Sequence, residues 1–423
     1  MQSVQVVAVQ VVAVQQRLKG VRLMIGIFEL YYPIFMSFVW ILGSSYLALR
    51  KEKNIQKEKL LAEPAVDVFM ACHNEEQLLY QSVKSLCQQS YKNFRIVLVD
   101  DGSDDQTFKQ MVLAKRDFNQ QIELIKLNVN QGKAHALNMA LKASTAEFIL
   151  CVDADSILEK GALRRLVTGI QGKADLAAVT GRPMVLNKTK LIAKLQFIEY
   201  FFNIDCIKRA QYFFCGLILT VSGVLTLYRT EAIRGIGGWN EQTLTEDIAA
   251  TWKLYDSEYR CGYVPEALCY IRVPETVKGF LRQRIRWARG GLEVWQSHIL
   301  KLPFLSAGKR WLLLDITLSY SWIFLVSLSL LSLVFDYLLL HNLNLRLDIF
   351  CAYYLVTLLF YLTANLINKH SLAGQHWELI GIIPIYFFFY WLNNIVSTVA
   401  AFYYLFDRKE RASWESSDRG KLR

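Results

Sequence analysis

The chain contains no CxxC pair of cysteines, and this absence argues against a zinc site or a disulfide framework. Its eight cysteines are scattered, and several lie inside apolar runs, as Cys151 does in FILCVDAD. We interpret them as small core residues of a protein that folds in a reducing compartment.

Long runs of Lys and Arg with interleaved aromatic residues are absent outside the segments next to apolar stretches. Nucleic acid is therefore not expected as a partner. The formal net charge of +11 fits instead the basic flanks of membrane helices and attraction to anionic lipid. It also fits an anionic substrate such as a nucleoside diphosphate.

Hydrophobic residues make up 53% of the 423 residues, and charged residues make up 20%. The chain is too apolar for an ordinary soluble enzyme and too charged for a bundle of membrane helices alone. A soluble domain flanked by membrane spans explains both numbers.

The N-terminal part divides into three segments. Residues 1–23 contain an uncharged VQVVA repeat that is too short to span a membrane and lacks the basic start of a signal peptide. We expect a non-structured extension there, with Met24 as the initiator. Residues 24–49 are long and apolar enough for one span, and the heavier basic flank follows them. The positive-inside rule therefore places the next domain, residues 50–300, in the cytoplasm.

The C-terminal part is again membrane-like. Residues 301–406 contain candidate spans at about 311–340, 349–367 and 378–404, before a polar tail at 407–423. Three spans would put the basic tail outside, which conflicts with the positive-inside rule, so the number of crossings stays open. Residues 188–215 are aromatic-rich but interrupted by charges, which predicts an interfacial helix rather than a crossing.

From residue 65 to 300, short apolar strands alternate with amphipathic helices, beginning with a strand at 66–72 and a helix at 75–89. This alternation predicts a doubly wound, mostly parallel α/β sheet. Ligands of such sheets bind beyond the carboxyl ends of the strands. Three polar clusters fall at those ends: His73-Asn74-Glu75, Asp100-Asp101 and Asp153-Ala154-Asp155.

Asp153 and Asp155 follow a predicted buried strand, with one residue between them. Two carboxylates with this spacing can bind one Mg²⁺ or Mn²⁺ ion and share it with a diphosphate. The alternative interpretation is a turn with two solvated carboxylates.

Two further motifs have both a structural and a functional interpretation. The sequence Asp100-Asp101-Gly102-Ser103 suits a turn, or a site where a carboxylate binds ribose or uracil. Lys133 follows a glycine and opens a predicted helix, so it could present its ammonium and nearby N–H groups to phosphate. A solvated helix start explains Lys133 equally well.

Thr245-Glu246-Asp247 precedes the predicted helix IAATWKLY. Thr is a good N-cap and acids suit a first turn, but Asp247 could also serve as a general base. Gln283, Arg286 and Trp287 lie at i, i+3 and i+4 of another predicted helix, where one side can hold a ligand. The alternative is a basic amphipathic helix at the membrane surface.

The order of the motifs is more specific than any one of them: DDGS, DAD, SGV with GGW, TED, QRIRW, then membrane spans. This set resembles the processive family 2 glycosyltransferases, the membrane synthases of cellulose, chitin, hyaluronan and poly-N-acetylglucosamine. The segments TEDIAATWKL and QRIRWARGG are most similar to those of the bacterial biofilm poly-β-1,6-N-acetylglucosamine synthases. The resemblance covers about residues 64 to 300 and the flanking spans.

The resemblance implies a GT-A fold in a multi-pass protein of the bacterial inner membrane. It also implies a UDP-sugar donor, a growing polysaccharide acceptor and a divalent metal, Mg²⁺ or Mn²⁺. Some relatives require a small membrane partner subunit, and the sequence leaves this requirement open. It also leaves open which sugar is transferred, because donor specificity depends on pocket shape.

Carried over motif by motif, the resemblance makes Asp247 the catalytic base, with Asp153 and Asp155 at the metal. The implied substrate-binding residues are Asp100, Asp101, Lys133, Asp153, Ser222, Gly223, Glu246, Gln283, Arg284, Arg286 and Trp287. The FFCG sequence at 213–216 is not assigned to the acceptor segment, since Ser222-Gly223 has the better spacing to the GGW turn.

Other functions remain as alternatives at this stage. The chain could make another β-glycan, such as hyaluronan, chitin or a cellulose-like polymer, or move one sugar to a lipid without processivity. A membrane scaffold or transporter with a degenerate nucleotide fold is a further alternative. Retention of every acidic motif and of QRIRW favours an enzyme that makes a polymer.

Overall fold

The computed structural model of the protein describes residues 2–51, 60–118, 121–341 and 347–406. Its centre is an eight-stranded sheet with the strand order β3-β2-β1-β4-β7-β6-β8-β5. The strands are β1 Val66–Cys72, β2 Phe94–Asp101, β3 Ile122–Leu127, β4 Phe148–Val152, β5 Ile157–Leu158, β6 Leu176–Val185, β7 Leu225–Arg229 and β8 Arg260–Ile271.

The α-helices follow in chain order as α1 Gln2–Tyr46, α2 Leu79–Cys87, α3 Thr107–Asp117, α4 Lys133–Ala143, α5 Ala162–Ile170, α6 Leu191–Phe202, α7 Arg209–Cys215, α8 Thr230–Gly235, α9 Glu246–Asp256, α10 Val277–His298, α11 Ala307–Leu340, α12 Leu347–Ile367 and α13 Ile383–Phe406. Two π-helical segments, Leu47–Lys51 and Asn203–Lys208, continue α1 and join α6 to α7. Short 3₁₀ helices, Ile299–Phe304 and Trp377–Ile382, precede α11 and α13.

The sheet is parallel through β3, β2, β1 and β4, as the sequence predicts. Its second half is mixed, because β7 runs antiparallel to both β4 and β6. Helix α2 begins at Leu79, four residues later than predicted from the sequence pattern at 75–89. The delay follows from a loop, in which Asn74 has a φ of 57° and the Glu75 N–H donates to the Thr107 hydroxyl.

The period-two alternation of the strands divides the core into two apolar layers. In β1, Val68 and Met70 face the layer that contains α2 and α5, whereas Phe69 and Ala71 face the layer that contains α4 and α9. All eight cysteines are free, and five of them are buried, which fits their predicted place in the core.

Four helices of the described part are long and apolar enough to cross a membrane: Leu23–Leu49, Ala307–Phe335, Leu347–Ile367 and Trp377–Val399. They match the four predicted spans, and the aromatic segment at 188–215 is not among them, as predicted. Residues 2–23 belong to α1, in place of the predicted non-structured extension. No Gly or Pro interrupts residues 2–19, so the helix can continue through them. The predicted polar tail at 407–423 lies outside the described residues.

A buried ionic cluster joins the domain to the membrane helices. Arg182 of β6 donates to Asp205 at 2.6 Å, Arg209 pairs with the same carboxylate, and all three side chains are fully buried. Arg182 also donates to Asn368, in the linker between α12 and α13, at 3.0 Å. Loss of Asp205 would leave both buried guanidinium groups without this carboxylate, at a cost of about 3–5 kcal/mol. The cluster therefore fixes this linker against the sheet.

Candidate active site

A cavity of about 690 Å³ connects the carboxyl end of β4 with the membrane helices. Asp153, Asp155, Asp247 and Arg286 line its domain side, so the structure brings together the predicted DAD, TED and QRIRW motifs. The far side is lined by aromatic residues of the four apolar helices, including Tyr32, Trp40, Trp322, Tyr353 and Trp391. The cavity therefore runs from the acidic residues into the helix bundle.

Lys133 is the cation at the centre of the acidic cluster. Its ammonium lies 2.6 Å from Asp153 Oδ1 and 2.9 Å from Glu246 Oε1, and donates to the Gly223 carbonyl at 3.2 Å. Burial opposes the charge, but Asp153 and Glu246 outweigh burial and hold the pKa of Lys133 above its ordinary value. The predicted phosphate-binding lysine thus bridges two carboxylates in this structure.

Both carboxylate oxygens of Asp247 accept hydrogen bonds from the backbone. Its Oδ2 accepts from the Gly223 N–H and its Oδ1 from the Ile248 N–H, each at 2.9 Å. Burial, followed by the neighbouring carboxylate of Glu246, raises the pKa of Asp247 to about 6, against the opposing effect of Lys133. A carboxylate whose pKa lies near neutrality suits a general base.

Gly223 lies close to three charged groups of the site. A Cβ at this position would lie 3.1 Å from Lys133 Nζ, 3.2 Å from Asp247 Oδ2 and 3.3 Å from Glu246 Oε1. Any side chain would therefore push apart the three charged groups. Ser222, the preceding residue of the predicted acceptor segment, also lines the cavity.

Thr245 does not have the capping role that its sequence position suggests. Its side chain makes no capping hydrogen bond to α9, and its Oγ1 has no hydrogen-bond partner in the described part of the chain. Gly290 of α10 packs directly on it, and a Cβ on Gly290 would overlap the Thr245 side chain. This close approach explains the glycine after QRIRWAR and sets the position of α10 against the TED turn.

The QRIRW motif lies on α10, which is a helix as predicted and is capped by Thr276, whose side chain accepts from the Gly279 N–H. Gln283 and Arg286 both line the cavity. The Gln283 Oε1 has no hydrogen-bond partner among the described residues, and no hydrogen bond or ion pair within them engages Arg286. Both groups are available to a ligand.

Arg284 and Trp287 are held by protein contacts. Arg284 is buried, donates to Glu199 of α6 at 2.6 Å, and lies with its guanidinium 4.4 Å from the Trp287 ring centroid. Trp287 packs edge-to-face on Tyr200, with ring centroids 6.2 Å apart. Glu199 and Tyr200 were not predicted as site residues. The sequence signal that could have indicated them is the acidic Glu199 within an aromatic segment.

Asp100 and Asp101 do not line the cavity. The Asp101 carboxylate accepts from the N–H groups of Gln131 and Gly132 at 3.0 and 2.8 Å, and burial raises its pKa. Asp100 accepts from the Ser103 N–H at 3.1 Å, while its other oxygen is buried without a hydrogen-bond partner in the described residues. In this structure Asp101 fixes the loop that leads to Lys133.

The DAD carboxylates fit a metal ion that is shared with a ligand. Asp153 and Asp155 both line the cavity, and Asp155 is buried, so the alternative of two solvated carboxylates is wrong. The described residues contain no group of three or more His, Cys, Asp or Glu side chains that could hold a metal. Two carboxylates together with diphosphate oxygens suit the ligand preference of Mg²⁺.

Comparisons with known proteins show the family and the fold of this chain. Residues 67–237 match the model of glycosyl transferase family 2. The chain is 32% identical to the poly-β-1,6-N-acetyl-D-glucosamine synthase of Staphylococcus epidermidis over 412 residues, which covers 93% of this chain and 98% of the relative. It is 37% identical to the synthase of the same name from Staphylococcus aureus strain COL over 275 residues, covering 63% and 65% of the two chains.

Among solved structures, the fold is similar to that of a mannosyltransferase of Pyrobaculum calidifontis in complex with GDP-Man and Mn²⁺. The TM-score is 0.55 at 18% identity, and the match covers 89% of this chain and 98% of the other. This similarity supports the predicted GT-A fold. By its family match and its near-complete overlap with a curated relative, this chain belongs to glycosyltransferase family 2.

Proposed function

We propose that this protein is a membrane-embedded, processive and inverting polymerase. It transfers N-acetylglucosamine from UDP-N-acetylglucosamine to a growing β-1,6-linked chain. The observation that carries the proposal is the continuous cavity, which joins Asp247 at one end to aromatic residues of all four apolar helices at the other. Aromatic faces suit sugar rings, so the cavity offers a nascent chain a path into the membrane. The names of the curated relatives supply the sugar and the linkage.

The donor binds at the domain end of the cavity. Arg286 can donate a forked pair of hydrogen bonds to the diphosphate, and Gln283 contributes an amide on the same helix. Arg284 acts indirectly, since its ion pair with Glu199 fixes α10. Trp287 contacts Arg284 and Tyr200, which fix the position of its indole. The indole provides a flat surface on which the acceptor sugar stacks.

The chemical step is a single displacement. Asp247 accepts the proton of the acceptor hydroxyl, and that oxygen forms a bond to the anomeric carbon from the face opposite the diphosphate. The bond between the anomeric carbon and the phosphate oxygen breaks, and its electron pair leaves with UDP. The linkage formed is β because attack inverts the anomeric centre.

Asp153 and Asp155 would hold a divalent cation, Mg²⁺ or Mn²⁺, together with the donor diphosphate. The cation, when bound, neutralises negative charge on the departing diphosphate. Lys133 orients Asp153, because its ammonium lies 2.6 Å from that carboxylate.

The protein belongs in the bacterial cell membrane, with its catalytic domain on the cytoplasmic face. The four apolar helices, the free cysteines and the basic residues after the first span support this orientation. Its partners in this proposal are the UDP-sugar, the growing polysaccharide and the bilayer. Whether a small membrane subunit is also needed is tested by assaying the chain alone.

The proposal is tested by measuring UDP release by the purified protein in lipid vesicles from a series of UDP-sugars. We expect release from UDP-N-acetylglucosamine that requires Mg²⁺ or Mn²⁺, with much slower release from UDP-glucose and UDP-glucuronate. Preferred use of UDP-glucose or UDP-glucuronate would point to a cellulose-like polymer or to hyaluronan instead.

A further inference from the structure

A second group of polar residues lines the cavity on the membrane side of Asp247. Lys208 ends the π-helical segment, Gln211 lies one turn later on α7, and Asp315 lies on α11. All three line the same cavity as Asp247. No sequence motif singled them out. Lys208 and Gln211 lie in the polar stretch KRAQ of an aromatic segment, and Asp315 lies alone in the apolar segment LLLDITL.

These side chains are buried but incompletely satisfied. Their exposed fractions are only 7%, 6% and 8% respectively. The Lys208 ammonium makes no hydrogen bond or ion pair within the described residues, and the Tyr263 ring lies 6.0 Å from it. The Asp315 Oδ1 likewise has no hydrogen-bond partner in the described part of the chain. Gln211 contacts the Asp315 carboxyl group, and its Oε1 accepts from the Leu219 N–H at 3.1 Å.

A buried charge without a partner disfavours folding. Burial lowers the pKa of Lys208 to about 8, with Asp247 acting in the opposite direction. Lys309 is buried to a similar extent but differs in its contacts. It pairs with Glu258 at 3.0 Å and donates to the Tyr255 carbonyl. Lys208 and Asp315 are therefore arranged for a ligand rather than for stability.

We propose that Lys208, Gln211 and Asp315 form a subsite for a neutral sugar unit of the acceptor chain, beyond the unit that reacts at Asp247. The subsite rests on the proposed function and extends it to acceptor specificity. Lys208 donates to a hydroxyl or acetamido oxygen of the sugar, and Asp315 accepts from a hydroxyl or amide N–H. Because both signs of charge face the same cavity, a neutral N-acetylhexosamine satisfies both groups, whereas an anionic or cationic unit is opposed by one of them.

The wall around the subsite includes residues of α1 and α11. Tyr32 of α1 contributes its hydroxyl, which lies 2.8 Å from the Ser319 hydroxyl and donates to the Asp315 carbonyl at 3.3 Å. Tyr32 and Ser319 both line the cavity. The subsite is thus built where the catalytic domain meets α1 and α11.

The test measures UDP release while soluble β-1,6-linked N-acetylglucosamine oligosaccharide and UDP-N-acetylglucosamine are titrated separately. In Lys208→Met and Asp315→Asn, we expect the acceptor KM to rise about 10-fold, because each variant loses a hydrogen bond between the sugar and a charged group. The donor KM should not rise with it. Lys208→Arg keeps the cation and restores part of the acceptor affinity.

Lys309→Met is the matched control, because it removes a buried lysine that does not line the cavity. It should lower the thermal midpoint and leave the acceptor KM unchanged. Lys208→Met should not lower the thermal midpoint, since it removes an uncompensated buried charge.

An unchanged acceptor KM in Lys208→Met and Asp315→Asn overturns the subsite, and so does an equal rise of donor and acceptor KM. Absence of UDP release by the unmodified protein is a different result, because it contradicts the proposed function itself.

Discussion

The Gly223 backbone N–H donates to Asp247 Oδ2 at 2.9 Å, while the Gly223 carbonyl accepts from Lys133 at 3.2 Å. One peptide segment therefore holds the proposed base and the cation that bridges Asp153 and Glu246. The acidic motifs, far apart in the sequence, are fixed in a common geometry by this segment.

Asp247→Asn should abolish polymer formation while leaving UDP binding intact. An amide cannot accept the acceptor proton, and loss of a general base costs about 10²–10⁴-fold in rate. The measurement is polymer synthesis in vesicles alongside UDP affinity. Wild-type-like polymer from this variant would rule out Asp247 as the base.

The same variant should remain folded at neutral pH. The pKa of Asp247 is raised from 3.8 to about 6 in the folded protein. Protonation of Asp247 therefore stabilises the fold. This contribution is fully present below pH 3.8 and is lost as the pH rises through about 6. Removing the ionisable group should not lower the thermal midpoint at pH 7, and a large decrease would show that the carboxylate is needed for the fold.

Activity should rise with pH through the pKa of Asp247, near 6, because only the ionised carboxylate accepts a proton. Lys133 lowers this pKa, so Lys133→Met should move the acid limb of the pH–rate profile to higher pH. That variant also leaves Asp153 and Glu246 without their cation, which should lower the free energy of unfolding by about 3–5 kcal/mol. An acid limb that stays in place or moves to lower pH would contradict this electrostatic account.

Gly223→Ala should reduce kcat by about 10-fold to 100-fold, because small displacements of catalytic groups have effects of this size. The added methyl would lie 3.1–3.3 Å from three charged atoms. Gly235→Ala is the matched control, since a Cβ at Gly235 meets nothing within 4 Å. Steady-state kinetics of both variants check the prediction, and equal kcat values would show that the segment can relax.

Gly290→Ala should impair activity from a distance. The new Cβ overlaps Thr245, so α10 must move away from the TED turn and carry Arg286 and Trp287 with it. We expect a higher donor KM together with a lower kcat. The additional change Thr245→Gly should restore part of the activity, whereas an equally impaired double variant would argue against a steric cause.

The sequence predicted the parallel half of the sheet and the four spans, because periodicity and strand ends are local signals. The grouping of DAD, TED and QRIRW in one site followed from the family resemblance alone. It did not predict that Asp101 is fully engaged by the Gln131 and Gly132 amides, since a turn motif does not reveal which backbone groups it binds. Lys208 and Asp315 were missed for a related reason: they line one cavity in the folded protein, but they lie about a hundred residues apart in the chain.

The most direct measurement follows the product of inverted membrane vesicles supplied with labelled UDP-N-acetylglucosamine. The account predicts a long, water-soluble polymer inside the vesicles, which a β-1,6-specific hydrolase degrades only after detergent is added. A single labelled sugar in the organic-soluble fraction, or a polymer that resists this hydrolase after detergent, would contradict it.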